Sequence, residues 1–207
     1  MDERNQKPYF LLIYFLMLLG SFLNPHDRFT WWLEAFPALL GLLVLVITYR
    51  KFPFTRLVYV LILIHACILF VGAHYTYAEV PLFNWIREIL HQSRNNYDKL
   101  GHFAQGFIPA IIAREILIRK QVVNGKVWLF VMVTCFCLAF SAAFELFEWL
   151  VSVLVGQGAD AYLGVQGYVW DTQSDMLYAW IGAMLAQLFL SGWHDRQMES
   201  MSKKGTD

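Results

Sequence analysis

The class of fold is decided by residues 127–155, VWLFVMVTCFCLAFSAAFELFEWLVSVLV, whose only charged side chains are Glu145 and Glu148. A helix needs about 20 mainly apolar residues to cross the hydrocarbon core of a bilayer, and this stretch exceeds that length. Its apolar residues run on without the alternation of a transmembrane barrel strand. The stretch therefore predicts a membrane-spanning helix.

Five further apolar runs extend the same pattern along the chain. The six predicted spans lie near residues 8–23, 31–49, 57–78, 100–118, 127–155 and 175–192. The 207 residues are 58% hydrophobic and 15% charged, which excludes a soluble globule, since soluble domains are roughly 25% charged. We predict an all-α polytopic membrane protein, a bundle of about six transmembrane helices, with residues 1–207 as a single integral-membrane domain.

The remaining composition narrows the function classes. With 16 Lys and Arg against 16 Asp and Glu, the net charge is zero and nothing indicates a nucleic-acid partner.

The first span is expected to be an uncleaved anchor, because GSFLNPHD after it has no small-x-small cleavage pattern. Residues 84–92, NWIREILHQ, predict a short helix in the outer interface. Residues 156–174 hold Gly156, Gly158, Gly164 and Gly167 and predict a compact loop.

Orientation follows from the basic residues of alternate loops. Cytoplasmic loops carry an excess of Lys and Arg. With a cytoplasmic amino terminus, twelve basic residues fall inside and four outside: inside Arg4, Lys7, Arg50, Lys51, Arg56, Arg114, Arg119, Lys120, Lys126, Arg196, Lys203 and Lys204; outside Arg28, Arg87, Arg94 and Lys99. Both termini are therefore predicted to be cytoplasmic, in a multi-pass protein.

Polar residues inside the spans are expensive and need a partner, water or a function. At 100° per residue, Asp98, His102, Gln105 and Pro109 fall on one face of the fourth span, which begins at the outer side. This face is therefore expected to point into the bundle rather than into lipid.

The fifth span carries a second polar stripe. Thr134, Ser141, Glu145, Glu148 and Ser152 share one face. Glu145 lies about 27 Å along the helix from its start at 1.5 Å per residue, hence in the outer leaflet. Two acids one turn apart at this depth are costly for a purely structural role.

Polar groups of two more helices reach the same outer level. Asp171, Asp175 and Gly182 share a face of the last span, where Gly182 and Ala186 would let another helix approach closely. His74 lies at the outer end of the third span, whereas His65 is on its opposite face and is interpreted as structural. Four helices thus place polar groups at one depth, which predicts a shared site.

The residue types of this site define its chemistry. Acid–base catalysis is assigned to five candidates: Asp98, His102, Glu145, Glu148 and Asp175. Carboxylates beside histidines also suit a divalent metal such as Zn, Mn or Mg, with six candidate ligands: His74, His102, Glu145, Glu148, Asp171 and Asp175.

Simpler roles are available for several of these polar residues. Asp98 and Asp171 also fit N-terminal helix caps. Glu34 is interpreted as interfacial. Arg114 and Glu115 are interpreted as anchors at the inner surface.

Three motifs carry a resemblance to known proteins: YDKLGHF (97–103), AFELFEW (143–149) and WDTQSDMLYAWIGA (170–183). With them the chain resembles the YjdF-type family of small bacterial inner-membrane proteins, over essentially its whole length. The resemblance implies the topology and a bacterial inner-membrane location, and it brings no activity.

A more remote pattern is similar to the VanZ-like families, in which a DKxxHF-like helix start precedes a glutamate and then an Asp-x-x-x-Asn-x-x-Gly helix. Asp98, Lys99, His102 and Phe103 match the first element, and Glu145 or Glu148 is the candidate for the second. Asp175 and Gly182 match the third element. The chain departs from the pattern at Ala179, where the asparagine is expected, and by its second acid, Asp171.

Three functions fit these observations, and the sequence does not decide whether the protein is an enzyme. The first is a site at the outer leaflet that binds or processes a membrane lipid or a lipid-linked small molecule, which explains the shallow polar groups. The second is a cation- or proton-coupled carrier. The third is a non-catalytic membrane assembly protein, which leaves the acidic stripe unexplained.

Overall fold

The computed structural model describes residues 7–156, 162 and 166–204, and the regular structure in these residues is helical. The described helices are α1 (Lys7–Phe22), α2 (Arg28–Thr48), α3 (Arg56–Tyr75), α4 (Pro81–Ile89), α5 (Tyr97–Arg119), α6 (Lys126–Val155) and α7 (Asp171–Lys204). The six long helices predicted from the sequence are present, and α4 is the expected short helix. In the predicted loop 156–174, Gly158 and Gly164 lie outside the described residues.

Four of the described helices, α2, α3, α6 and α7, are long and apolar enough to cross a membrane. α1 is apolar but has 16 residues. α5 has 23 residues and carries charges near both ends, among them Asp98, Lys99, Arg114 and Glu115. These charges are tolerated because α5 is enclosed by protein.

α5 is the central helix of the bundle. It packs along α7 and also contacts α3 and α6, while α1 and α2 pack on α3. Ile108 and Ile111 of α5 join Val58 of α3 and Val133 of α6 in the main apolar core. Because lipid is as apolar as these side chains, close packing rather than burial from water stabilises such contacts.

The contact between α5 and α7 depends on glycine. A Cβ atom on Gly106 would overlap the carbonyl oxygen of Ala179, and a Cβ atom on Gly182 would overlap the carbonyl oxygen of Phe103. Ala186, one turn beyond Gly182, is fully buried. The predicted close approach at Gly182 and Ala186 is confirmed.

A buried polar cluster joins α3, α5 and α7 at the end of the bundle opposite the acidic residues. The Glu115 carboxylate accepts from the Thr55 backbone N–H at 3.0 Å, the Thr55 hydroxyl at 2.7 Å and Arg119 at 2.7 Å. His194 Nε2 lies 2.9 Å from Glu115 Oε2. The interpretation of Glu115 as a surface anchor is wrong, because its side chain is completely buried and fully hydrogen-bonded.

Candidate functional site

The backbone that leads into α5 is fixed by Asn95, a completely buried residue. Its side-chain amide donates to the Val80 carbonyl at 3.1 Å and to Asn84 at 2.9 Å, and its Oδ1 accepts the Tyr97 N–H at 3.0 Å. Gln166 pairs with both backbone groups of Asn95 at 2.9 Å. These bonds hold the first turn of α5 against the segment that precedes α7.

A buried ion network connects this first turn to α7. Lys99 Nζ donates to Asp171 Oδ1 at 2.6 Å and to Asp175 Oδ1 at 2.7 Å, and it lies 3.6 Å from Asp98 Oδ2. Arg94 pairs with Asp171 and lies 3.4 Å from Asp98. Asp98 and Asp171 therefore neutralise buried cations and are more than helix caps. Within the network two cations face three carboxylates.

His102 lies one turn further along α5, at the junction of α5, α6 and α7. Its Nε2 is 3.4 Å from Asp98 Oδ1 and 3.9 Å from Asp175 Oδ1. Its Nδ1 is 3.0 Å from Gln105 Oε1 and 3.6 Å from Glu145 Oε1. The ring is surrounded by oxygen acceptors, which suits an imidazole that holds and delivers a proton.

Most of the sequence-predicted site residues come together. Asp98, His102, Glu145, Asp171 and Asp175 are joined by contacts of at most 3.9 Å, directly or through Lys99 and Arg94. Glu145 is buried, and its Oε1 has no hydrogen-bond partner among the described residues.

Glu148 and His74 lie away from this contact network. Glu148, one turn from Glu145 on α6, lines the cavity described next. His74 points elsewhere, with Nδ1 3.0 Å from the Ser21 carbonyl oxygen of α1.

A cavity of about 750 Å³ adjoins the site and is lined by α2, α3, α5 and α6. Its polar end is formed by six side chains: Glu34, Tyr77, Asp98, His102, Glu148 and Tyr162. Away from this end its walls are mainly apolar. Along α5 the lining continues from Asp98 to Lys120, which at 1.5 Å per residue is about 33 Å, close to the thickness of a bilayer core.

The cavity opens sideways between α2 and α6. Phe36, Leu40 and Val44 of α2 and Phe140 and Phe147 of α6 line its edges, and all five side chains are exposed. These two helices do not pack extensively on each other in the described part of the chain.

Sequence reasoning missed several lining residues. Glu34 is buried rather than interfacial, and His65 rather than His74 is the α3 histidine that faces the cavity. Glu34 carried a usable signal, because an acid inside an apolar span indicates a functional site by default. Tyr162 carried none, since it is an aromatic residue outside the predicted spans.

The predicted metal ligands do not gather as one set. Asp98, His102 and Asp175 are the described residues whose ligand atoms lie within 4.8 Å of one another. However, Asp175 Oδ1 already accepts from Lys99 at 2.7 Å. The ammonium group supplies the positive charge at the place where a metal would otherwise be needed.

Comparison with known proteins agrees with the motifs. The family described as "Predicted membrane protein (DUF2238)" matches residues 7–196. The chain is 48% identical over 183 residues to "Inner membrane protein YjdF" of Escherichia coli (strain K12), and the match covers 88% of each chain. No solved structure matches the chain. The resemblance seen in the three motifs is therefore confirmed.

Proposed function

The chain belongs to the DUF2238 family of predicted membrane proteins, and from that premise we propose that it binds a lipid or lipid-linked molecule at the outer leaflet of the bacterial inner membrane. The observation that carries the proposal is the cavity, which is apolar over most of its length and ends at His102 and its carboxylates. A head group would occupy the polar end, and hydrocarbon would lie along α5.

The shape of the cavity supports a lipid over a water-soluble ligand. Its opening between α2 and α6 is edged by exposed aromatic and aliphatic side chains, including Phe36, Leu40 and Phe140. A ligand could enter from the bilayer without crossing water. Most of a small-molecule pocket is apolar, with a few polar groups that fix orientation, and this cavity follows that pattern.

The placement at the outer leaflet rests on the charge asymmetry of the loops. The basic residues Lys120 and Lys126 follow α5, and this side of the bundle holds the larger share of Lys and Arg in the sequence. The positive-inside tendency makes that side cytoplasmic. Asp98 and His102, at the other end of α5, then lie outside, and both termini lie inside.

Chemistry on the bound head group would fall to His102. It is within 3.4 Å of Asp98 and 3.6 Å of Glu145, so a proton leaving the ring can be replaced from a neighbouring acid. Glu148 and Asp175 complete the catalytic candidates. Asp98, His102 and Asp175 are the residues that would hold a divalent metal.

The carrier alternative finds less support in the cavity walls. A cation or proton path needs polar groups or water at intervals across the membrane. From His65 and Gln105 towards Lys120, the lining along α5 is made by residues such as Pro109, Ile112 and Ile116. This middle section suits hydrocarbon and opposes ion movement.

Blocking the cavity tests the proposal. Ala143 of α6 lines the opening, whereas Ala139, one turn away on the same helix, does not. Both are exposed, so tryptophan at either position should preserve the fold. By native mass spectrometry of protein purified in a mild detergent, Ala143→Trp should retain several-fold less lipid than Ala139→Trp. Equal lipid retention by the two variants would overturn the cavity as the binding site.

A further inference from the structure

The geometry points to an amine at the polar end of the cavity: the bound lipid carries a positively charged amino head group. This inference rests on the proposed function and names its substrate class. Phosphatidylethanolamine, whose head group ends in a primary ammonium, is the representative of that class. The charged groups that face the cavity differ from those that are turned away from it.

The cations of the site do not line the cavity. Lys99 is held by Asp171 and Asp175 at 2.6 and 2.7 Å, and Arg94 also pairs with Asp171. Neither cation is among the described lining residues. Arg94 and Lys99 also lie 3.4 and 3.6 Å from Asp98, so these two cations face three carboxylates at the interface between α5 and α7.

Two carboxylates outside this network, Glu34 and Glu148, face the cavity, and so does Asp98 within it. Glu34 of α2, Asp98 of α5 and Glu148 of α6 approach its polar end from three sides, with His102 among them. Glu145 lies directly behind His102 at 3.6 Å. Lys120, the lysine among the described lining residues, is at the far end of α5. A cationic ligand group at the polar end would therefore meet three carboxyl groups, with the His102 imidazole among them.

An independent observation indicates that a hydrogen-bonding group is missing at the polar end of the cavity. Tyr162 is 3% exposed and lines the cavity, and its hydroxyl has no hydrogen-bond partner among the described residues. Buried polar groups are nearly always paired, so an orphan hydroxyl aimed into a cavity indicates a missing partner. An ammonium offers three donors, which match the Tyr162 oxygen and two carboxylates.

The aromatic rings favour a cation as well. Tyr77, buried against Gly72 and Gly101, lines the cavity at this end together with Tyr162. Ring faces attract an ammonium group, and the attraction is stronger where water is excluded. A head group that is only anionic would meet Glu34 and Glu148, and the described residues that line this end of the cavity include no lysine or arginine beside them. Like charges repel strongly in such surroundings.

The same geometry disfavours a divalent metal as the occupant. Of the candidate ligands Asp98, His102 and Asp175, the last already accepts from Lys99. A metal there would lie beside an ammonium group, and the repulsion would displace one of the two cations. A lipid ammonium at Glu34 and Glu148 avoids this conflict because Lys99 lies behind the cavity wall.

The test compares two lipids that differ only at the amine. Full-length protein is stripped of bound lipid and incubated with dioleoyl phosphatidylethanolamine or with its N-acetylated derivative, which keeps the chains and the phosphate but loses the positive charge. The bound fraction is read by native mass spectrometry. Wild type should retain the amine form at least about tenfold better, since hydrogen bonds to charged groups are the strong ones.

Charge-removing variants locate the effect. Glu148→Gln and Glu34→Gln should reduce the preference for the amine, and Tyr162→Phe should reduce it while leaving the fold intact. Glu88→Gln is the matched control, because Glu88 is an exposed glutamate of α4 at the same side of the bundle. It should leave the preference unchanged.

Each outcome separates the two proposals. Equal retention of both lipids by wild type would overturn the amine and leave lipid binding in place. Retention of neither lipid would overturn both. Thermal stabilisation of lipid-free protein by Mg²⁺ or Mn²⁺, abolished in Glu148→Gln, would also overturn the amine and assign the carboxylates to a metal.

Discussion

Lys99 Nζ lies 2.7 Å from Asp175 Oδ1, across the interface between α5 and α7. The same ammonium donates to Asp171 at 2.6 Å, so one lysine bridges two acids of another helix, and Arg94 is the second cation on Asp171. This relationship explains how α7 keeps two buried aspartates within an apolar bundle. Glu34 and Glu148, on the cavity side, have no lysine or arginine beside them among the described residues that line the polar end.

Removing the lysine should destabilise the bundle severely. In Lys99→Met the carboxylates of Asp171 and Asp175 lose their shared cation, and breaking a buried ion pair from one side costs about 3–5 kcal/mol. Thermal unfolding in detergent should therefore occur at a much lower temperature. The double variant Lys99→Met with Asp175→Asn should recover part of the loss. Purely additive losses would show that the two residues are not coupled.

The close contact of α5 with α7 at Gly182 can be tested by substitution, and Gly192 on the same helix provides the control. Gly182→Ala places a methyl group against the Phe103 carbonyl oxygen and should lower the melting temperature. Gly192→Ala meets open space and should be neutral or stabilising by up to about 1 kcal/mol, the helix preference of alanine over glycine. If both variants unfold at the same temperature, α5 and α7 do not approach as closely as described.

The placement of the site at the outer side can be tested with reporters. A protein that fluoresces only in the cytoplasm, fused after Asp207, should be bright. The same reporter inserted between Gly156 and Gly167 should be dark, because positive-inside loops place that segment outside. The reverse pattern would put the cavity's polar end at the cytoplasmic leaflet.

Asp27, in the connection between α1 and α2, links stability to pH. Its carboxylate accepts the Thr30 backbone N–H at 2.7 Å, and this hydrogen bond lowers the pKa of Asp27 below its ordinary value of 3.8. A lowered folded-state pKa gives stability that is present above the ordinary value and lost as pH falls through the folded one.

The measurement compares Asp27→Ala with wild type at two pH values. At pH 7 the variant should lose about 1 kcal/mol, as for other N-terminal caps, and the gap should narrow below pH 3.8. Asp27→Ser, which keeps a hydroxyl acceptor, is the control and should lose less. A gap that is constant with pH would show that the carboxylate charge is not involved.

Much of the fold followed from the sequence because its signals are local. Apolar runs predicted the long helices, and the 100° rotation per residue placed Asp98, His102 and Gln105 on one face, which the cavity lining confirms. Gly182 likewise predicted the close contact between α7 and α5. These signals need no knowledge of neighbouring helices.

The sequence-based predictions were wrong where packing against a neighbouring helix determines the surroundings of a residue. Rotation alone shows that His65 and His74 face opposite ways, but packing of α3 on α5 decides which one meets the cavity. Glu115 sits near a helix end, where a surface position is the usual expectation. Its partners Thr55 and His194 are 60 and 79 residues away, so its burial could not be predicted from local sequence.

The central claim, a lipid held between α2 and α6, is tested most directly by a cryo-electron microscopy structure of wild type in lipid nanodiscs that contain phosphatidylethanolamine. We expect chain-shaped density along α5 past Ile112, with its polar end within hydrogen-bonding distance of Glu148 or Asp98. A cavity closed by direct contact of α2 with α6, or filled by ordered water without a lipid chain, would contradict the account.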